Sequence, residues 1–248
     1  MSLDKPALQM YSVRDHMDRD PEGTLKKLRE IGYQHVELAG TAGMSANAFK
    51  DVLDELGMTA ISTHHSFNHV VNNVDAVISD ARLFGMEYVV IPWHGANSAD
   101  GWADAGKQMN QAGEVLREAR IHLCYHNHAH EFDLFDGKTA FDIIFDNAEP
   151  EHLGLELDTA WAAVAGKDVA ELITRFTNRI PLIHLKDYKV VDDAYVLTEL
   201  GNGVIDWSIV LEAAKNAGVV WHIAELDQSE TDSLESTAIN YNYMRDRA

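Results

Sequence analysis

Four stretches in the second half of the chain share one pattern: CYHNHAHEF (124–132), GLELDTAW (154–161), PLIHLKDYK (181–189) and WHIAELDQS (221–229). In each, an apolar run leads into His, Asp or Glu and then into a polar loop. Near-continuous apolar runs are typical of parallel strands, which are buried on both faces. The carboxyl ends of such strands are where α/β sheets and (β/α)₈ barrels place their chemistry. The four stretches therefore predict one mouth that collects ionisable side chains from successive strands.

The same alternation of helix and strand runs along the whole chain. Asp20-Pro21-Glu22 predicts a helix start with an N-cap and a proline in the first turn, and Gly32 predicts its end. Strands are predicted to start, within three residues, near Ala7, Gln34, Met58, Glu87, Ile121, Leu153, Ile180 and Val219. Strict alternation indicates a parallel sheet, and eight units in 248 residues favour a closed barrel. We predict an α/β protein that forms a single-domain (β/α)₈ TIM barrel over residues 1–248.

Composition excludes several classes of partner. Asp and Glu number 40 against 20 Lys and Arg, a formal net charge of −20, and no basic cluster is longer than Lys26-Lys27. Nucleic-acid binding needs a basic surface, so we expect no nucleic-acid partner. There is no apolar run of 18 residues and no signal-peptide pattern, so we expect no membrane partner. The single cysteine, Cys124, cannot form an intrachain disulfide and fits a cytoplasmic protein. The sequence leaves open whether the chain forms a homo-oligomer.

The opening of the chain resembles a known family. The motifs LQMYSVRD (8–15) and VELAG (36–40) are similar to the start of the xylose isomerase-like TIM-barrel superfamily. The four later stretches match, in order and spacing, a branch of bacterial sugar phosphate isomerases/epimerases related to inosose dehydratases and ketose 3-epimerases. The resemblance covers nearly the whole chain and implies a small sugar or polyol substrate. It leaves the reaction open, because this fold hosts isomerases, epimerases, dehydratases and lyases.

The resemblance also implies a metal site. Members of the superfamily hold one divalent ion with side chains from consecutive late strands, which places Asp158, His184 and Glu225 in the ligand set. The fourth ligand is left open between Glu131 and His126, with His128 as a third option. Oxygen and nitrogen ligands without a thiolate suit Mn²⁺, Mg²⁺, Co²⁺ or Zn²⁺.

Such an ion would polarise a carbonyl group while a carboxylate removes the proton from the neighbouring carbon. The residues expected to carry catalysis are Glu131, Glu225, His126 and Lys186. The leading hypothesis is an isomerase or epimerase acting on a sugar, keto-sugar or inositol derivative, and the alternative is a metal-dependent lyase or dehydratase. A non-catalytic sugar-binding barrel and an endonuclease-IV-like DNA repair enzyme are less favoured, the latter because of the acidic charge.

Side chains near other strand ends are expected to contact the substrate: Tyr11, Arg14, Glu37, His65, His94, His128 and Trp161. Trp161 is three residues after Asp158, so a helical turn would bring both to one side. Ketose epimerases often have a histidine at this position. A tryptophan instead predicts a flat wall against the C–H face of a sugar.

Overall fold

A single parallel sheet forms the centre of the molecule. The structure, a computed structural model, describes Leu3 and residues 5–247. The strands are β1 (Ala7–Gln9), β2 (His35–Leu38), β3 (Thr59–Thr63), β4 (Tyr88–Ile91), β5 (His122–His126), β6 (Gly154–Asp158), β7 (Leu182–Leu185) and β8 (Trp221–Ala224). They pair in parallel in the order β3-β2-β1-β8-β7-β6-β5-β4. The edges meet where His65 N donates to Val90 O at 2.9 Å, which nearly closes the barrel. The predicted single-domain TIM barrel is confirmed.

Helices follow the strands and cover the barrel. They are α1 (Arg14–Met17), α2 (Pro21–Ile31), α3 (Ala46–Glu55), α4 (Phe67–Asn72), α5 (Val74–Phe84), α6 (Ala99–Glu118), α7 (Ala140–Asp146), α8 (Thr159–Val164), α9 (Val169–Arg175), α10 (Trp207–Ala217) and α11 (Ser233–Arg245). The predicted cap at Asp20 is confirmed, since its side chain accepts from Gly23 N. Gly218 ends α10 with a left-handed φ of 83°, a conformation that suits glycine. Among the described residues, no helix is both long and apolar enough to cross a membrane.

Each barrel strand starts within two residues of its predicted position. The prediction succeeds because both faces of these strands are covered, the inner one by the barrel interior and the outer one by helices. Leu157 and Ile183, for example, are neighbours in β6 and β7 and are fully buried. A strand buried on both faces must be apolar almost throughout, and that pattern is visible in the sequence.

Two small antiparallel hairpins were not predicted. The first pairs Leu134–Phe135 with Lys138–Thr139, and the second pairs Asp187–Val191 with Ala194–Thr198. The second hairpin follows β7 directly and leaves the barrel at its carboxyl end. Its returning strand forms part of the wall above the barrel mouth.

Asp187 anchors the second hairpin. Its buried carboxylate accepts hydrogen bonds from Gly201 N at 3.0 Å and from the indole Nε1 of Trp207 at 2.8 Å. A Cβ at Gly203 would collide with this carboxylate, so glycine is needed for close packing. The Gly201-Asn202-Gly203 loop therefore wraps an aspartate side chain.

Candidate metal centre

Four buried ionisable side chains converge at the carboxyl ends of β5 to β8. His126 and Asp158 are the last residues of β5 and β6, His184 is the third residue of β7, and Glu225 follows β8. One ligand atom from each lies within 4.8 Å of the others. His126, Asp158, His184 and Glu225, which we call the upper cluster, are no more than 5% exposed. The arrangement gathers ligands from successive strands, as the sequence pattern predicts.

The ligand atoms of the upper cluster fit a divalent ion. His184 Nδ1 lies 2.7 Å from Glu225 Oε2, and His126 Nε2 lies 3.8 Å from Asp158 Oδ2. Asp158 Oδ2 is buried and receives no well-directed hydrogen bond, although Lys186 Nζ lies 2.8 Å away. An unsatisfied buried polar group costs about 1–3 kcal/mol, more when it is charged. Two carboxylates and two imidazoles whose ligand atoms lie within 4.8 Å of one another are a donor set that Mn²⁺, Mg²⁺, Co²⁺ or Zn²⁺ accepts.

Asp158 is also a helix cap. Its Oδ1 accepts from Trp161 N at 2.9 Å at the start of α8. The cap fixes one carboxylate oxygen on the main chain and turns the other toward the cluster. Capping and metal binding are therefore compatible in this residue, because they use different oxygens.

Lys186 places a buried positive charge beside the upper cluster. Its ammonium lies 2.8 Å from Asp158, 2.7 Å from Glu225 and 3.0 Å from Asp227. Burial opposes the charge, but these carboxylates outweigh it and raise the lysine pKa well above its usual value. Lys186 therefore stays protonated.

The carboxylates of the upper cluster respond to burial and to neighbouring charges. Burial, with the charge of Glu225 adding to it, raises the pKa of Asp158 to about 6 despite the opposing effect of Lys186. Burial also acts on Glu225, but Lys186 and His184 outweigh it and hold the pKa of Glu225 well below its usual value. Of these two carboxylates, Glu225 is therefore the more readily ionised.

Three further ionisable side chains, Glu37, His64 and Glu156, contact the histidines of the upper cluster. The imidazole Nε2 of His64 lies 2.9 Å from Glu156 Oε2 and 3.3 Å from Glu37 Oε2. Burial opposes charge on His64, but the two carboxylates outweigh it and raise its pKa to about 10. The group thus holds a positive imidazole between two acids. We call these three residues the lower layer.

A cavity of about 770 Å³ opens above the upper cluster. Six side chains that the sequence assigned to the site line it: Tyr11, Arg14, His126, His128, Trp161 and Glu225. Arg14 is braced, because one guanidinium nitrogen donates to Asp227 O at 2.7 Å. The second hairpin adds Tyr195, which is 57% exposed. The wall thus combines aromatic surface with a few polar groups, as small-molecule sites do.

The structure brings His126, and not Glu131, together with the other three candidate ligands. A short 3₁₀ turn, His130–Phe132, directs the Glu131 carboxylate away from the upper cluster. Oε1 accepts from the Tyr125 hydroxyl at 2.7 Å and Oε2 accepts from His128 N at 2.7 Å. Both oxygens are thus occupied, and burial raises the carboxyl pKa. His126, rather than Glu131, completes the cluster, and Glu131 holds the main chain at His128.

Glu37 and His65 are expected from the sequence to contact the substrate, but neither of them lines the cavity. Glu37 is fully buried and lies behind His184, at 2.6 Å from its Nε2. His65 lies beside Asp80, with 3.9 Å between Nε2 and Oδ2, in a separate hollow. Its neighbour His64 lines the cavity instead, because successive side chains at a strand end point to opposite faces.

His94 is likewise a packing residue. Its ring contacts Phe67 at 4.2 Å and Trp102 at 5.3 Å between centroids, and its carbonyl accepts from His130 Nε2 at 2.9 Å. It does not line the main cavity. Burial lowers its pKa, which fits a neutral ring packed among aromatic residues.

Sequence reasoning gave no definite role to His64, Glu156 or Asp227. Glu156 precedes Asp158 by two residues, so alternation places both side chains on one face of β6. That signal is present in the sequence as an acid in the middle of a buried strand. The partners of Glu156, by contrast, come from β3, β5 and β7 and become visible only in the fold.

A family model described as xylose isomerase-like TIM barrel matches residues 25–245, and the chain belongs to this family. The chain is 24% identical over 203 residues to an inosose dehydratase from Geobacillus thermodenitrificans (strain NG80-2). That alignment covers 74% of this chain and 63% of the relative, less than two thirds of its length.

Solved structures share the fold at low sequence identity. A sugar phosphate isomerase/epimerase from Parabacteroides distasonis ATCC 8503 superposes with a TM-score of 0.85 at 20% identity, over 99% of this chain and 95% of the other. The IOLI protein with a bound zinc atom gives a TM-score of 0.72 at 14% identity, over 98% and 95%.

Proposed function

We propose that this protein is a divalent-metal-dependent enzyme that removes a proton next to the carbonyl of a keto-sugar or keto-inositol and returns it as an isomerase or epimerase. The observation that carries the proposal is the upper cluster of four buried candidate ligands, two of which, His126 and Glu225, line a cavity sized for a small molecule. The kinship with metal-binding and sugar-converting proteins supports it. The proposed substrate is thus a small sugar or polyol, not a nucleic acid.

Bound at the upper cluster, the ion would polarise the substrate carbonyl and lower the cost of removing the neighbouring proton. Glu225 and His128 line the cavity and are the groups placed to accept and return that proton. His128 Nδ1 is buried without a hydrogen-bond partner, and burial lowers the pKa of His128 to about 4, so the ring is neutral and can accept a proton. The fixed charge of Lys186 offsets the negative charge that develops on the substrate. Glu131 contributes by holding His128 in position.

Dehydration of a keto-inositol is the second candidate. It is favoured by the similarity to inosose dehydratases. It begins with the same proton removal, after which a neighbouring acid protonates a departing hydroxyl group instead of returning the proton to carbon. The two reactions therefore share the site and differ in the fate of the β-hydroxyl.

We expect solvent deuterium to enter the substrate at the carbon next to the carbonyl. The Mn²⁺-loaded protein would be incubated in D₂O with a panel of keto-sugars and inososes, and each mixture followed by ¹H NMR and mass spectrometry. Isomerisation or epimerisation gives labelled products of unchanged formula, and dehydration gives a product lighter by one water. The control is the protein stripped of metal. Turnover without label in substrate or product at any time would contradict the proposal.

We expect Trp161 to form a wall against the substrate. Its ring lies 5.9 Å from the His128 ring, and Lys186 Nζ lies 5.7 Å from its centroid. Trp161→Ala should raise KM and lower kcat, each by about tenfold, which corresponds to the 0.5–1.5 kcal/mol of a stacking contact plus lost burial. Affinity for Mn²⁺ should stay within about threefold of the parent, because the indole is not a ligand. Unchanged kinetics in the alanine variant would show that the ring does not meet the substrate.

A further inference from the structure

The lower layer touches the backs of both candidate ligand histidines. Glu156 precedes Asp158 by two residues on the same strand face, so it lies roughly 7 Å farther along β6 toward its amino end. Its Oε2 lies 3.0 Å from His126 Nδ1. On the other side of the barrel, Glu37 Oε2 lies 2.6 Å from His184 Nε2. Each histidine is therefore held between a carboxylate of the layer and a carboxylate of the upper cluster.

The two ring nitrogens of these histidines face different groups. His126 turns Nε2 toward Asp158 and Nδ1 toward Glu156. His184 turns Nδ1 toward Glu225 and Nε2 toward Glu37 at 2.6 Å, with Glu156 Oε2 also 3.1 Å from Nε2. A neutral imidazole has one N–H and one lone pair, so the hydrogen bond made by one nitrogen decides which nitrogen can bind a metal.

We propose that Glu37 and Glu156 are positioning residues that fix the tautomers of His184 and His126, so that these bind the metal through Nδ1 and Nε2, respectively. A carboxylate that accepts the back N–H orients the ring and raises the basicity of the other nitrogen. This inference rests on the proposed metal-dependent function. It assigns a role in metal binding to two residues, Glu37 and Glu156, that do not contact the ion themselves.

The layer is itself held rigidly. Glu37 accepts from Gln9 Nε2 at 2.8 Å and from the Ser62 hydroxyl at 2.7 Å. His64 links Glu37 to Glu156 from the cavity side. Metal ligands keep an accurate geometry only when the residues that support them are themselves held rigidly.

Some of the same residues form a second candidate metal site, which competes with the upper cluster. His64, His126, Glu156 and His184 also offer ligand atoms within 4.8 Å of one another. A metal held there would need the lone pairs of His126 and His184 on the opposite nitrogens. Since both histidines belong to both sets, neutral rings can serve one set at a time. The tautomers therefore distinguish the two arrangements.

The first test measures Mn²⁺ binding without substrate, by calorimetry, for Glu37→Gln and Glu156→Gln. Each should weaken binding by about 10- to 100-fold, the range found when a carboxylate behind a ligand histidine is removed. The matched control is Asp168→Asn, which also replaces a carboxylate by an amide but at an exposed helix cap that does not line the cavity, and it should change affinity by less than about threefold. Unchanged affinity in both glutamine variants would overturn the proposal.

The second test needs no variant. Nitrogen-15 NMR of histidine-labelled, Zn²⁺-loaded parent protein should show the proton of His184 on Nε2 and that of His126 on Nδ1, with the metal on the other nitrogen. The opposite tautomers, or loss of binding in Glu156→Gln while Asp158→Asn binds normally, would overturn it in favour of the lower set. A parent protein that binds no metal would overturn both this inference and the proposed function, whereas normal binding with insensitive variants would reject the inference alone.

Discussion

Asp158→Asn is expected to lower the affinity for Mn²⁺ by more than about 100-fold while leaving the fold intact. The loss should exceed the 10- to 100-fold effect of removing a group behind a ligand, because Asp158 supplies a ligand oxygen itself. Asparagine keeps the side-chain carbonyl that caps α8, since it is as good an N-cap as aspartate. The substitution thus removes the charge at the proposed site and preserves the helix start. Calorimetric titration and circular dichroism would measure the two effects separately.

Asp168→Asn is the matched control. Asp168 caps α9 in the same way, with its Oδ1 accepting from Glu171 N at 3.0 Å, but it is exposed and does not line the cavity. Its replacement should leave metal affinity unchanged. If Asp158→Asn binds Mn²⁺ like the parent, Asp158 is only a cap and the upper cluster is not the metal site. Glu225→Gln should weaken binding similarly.

The barrel could be predicted from the sequence because its determinants are local. Strands buried on both faces are apolar, and the caps at Asp20 and Asp206 sit beside the helices they start. The second hairpin escaped prediction because its strands are exposed and its turn is Asp192-Asp193. Both residues have positive φ, 49° and 62°, as two-residue hairpin turns require, but Asp-Asp is a weaker signal than Asn-Gly.

The site could be predicted only in part, because its remaining members depend on contacts between distant segments. Nothing local distinguishes His64 from His65, since the pairing of β2 with β3 shifts register at Val36/Glu37 and so obscures which face each side chain takes. Similarly, the Glu131 carboxylate is oriented by a hydrogen bond from the Tyr125 hydroxyl. Glu131 lies in a 3₁₀ turn that no sequence pattern predicts.

Lys186→Met is expected to destabilise the metal-free protein strongly and to make it depend on metal. Lys186 is 1% exposed and is the cation shared by Asp158, Glu225 and Asp227. Removing one partner of a buried ion pair costs about 3–5 kcal/mol, because the remaining charges are left uncompensated. For a chain of this size, that corresponds to a Tm lower by about 10 °C. Added Mn²⁺ would supply the missing positive charge, so it should raise Tm more in the variant than in the parent.

Lys189→Met provides the comparison, at a nearby lysine in the first strand of the second hairpin. The Lys189 ammonium lies 2.6 Å from Glu230 Oε2, but this pair is at the surface, where an ion pair contributes about 0–1 kcal/mol. Its loss should therefore shift Tm by no more than about 4 °C and leave the response to Mn²⁺ as in the parent. A Lys186→Met protein that is as stable as the parent without metal would show that the carboxylates are not held together by this lysine. A smaller response to Mn²⁺ than in the parent would show that Lys186 supports metal binding instead of substituting for the metal charge.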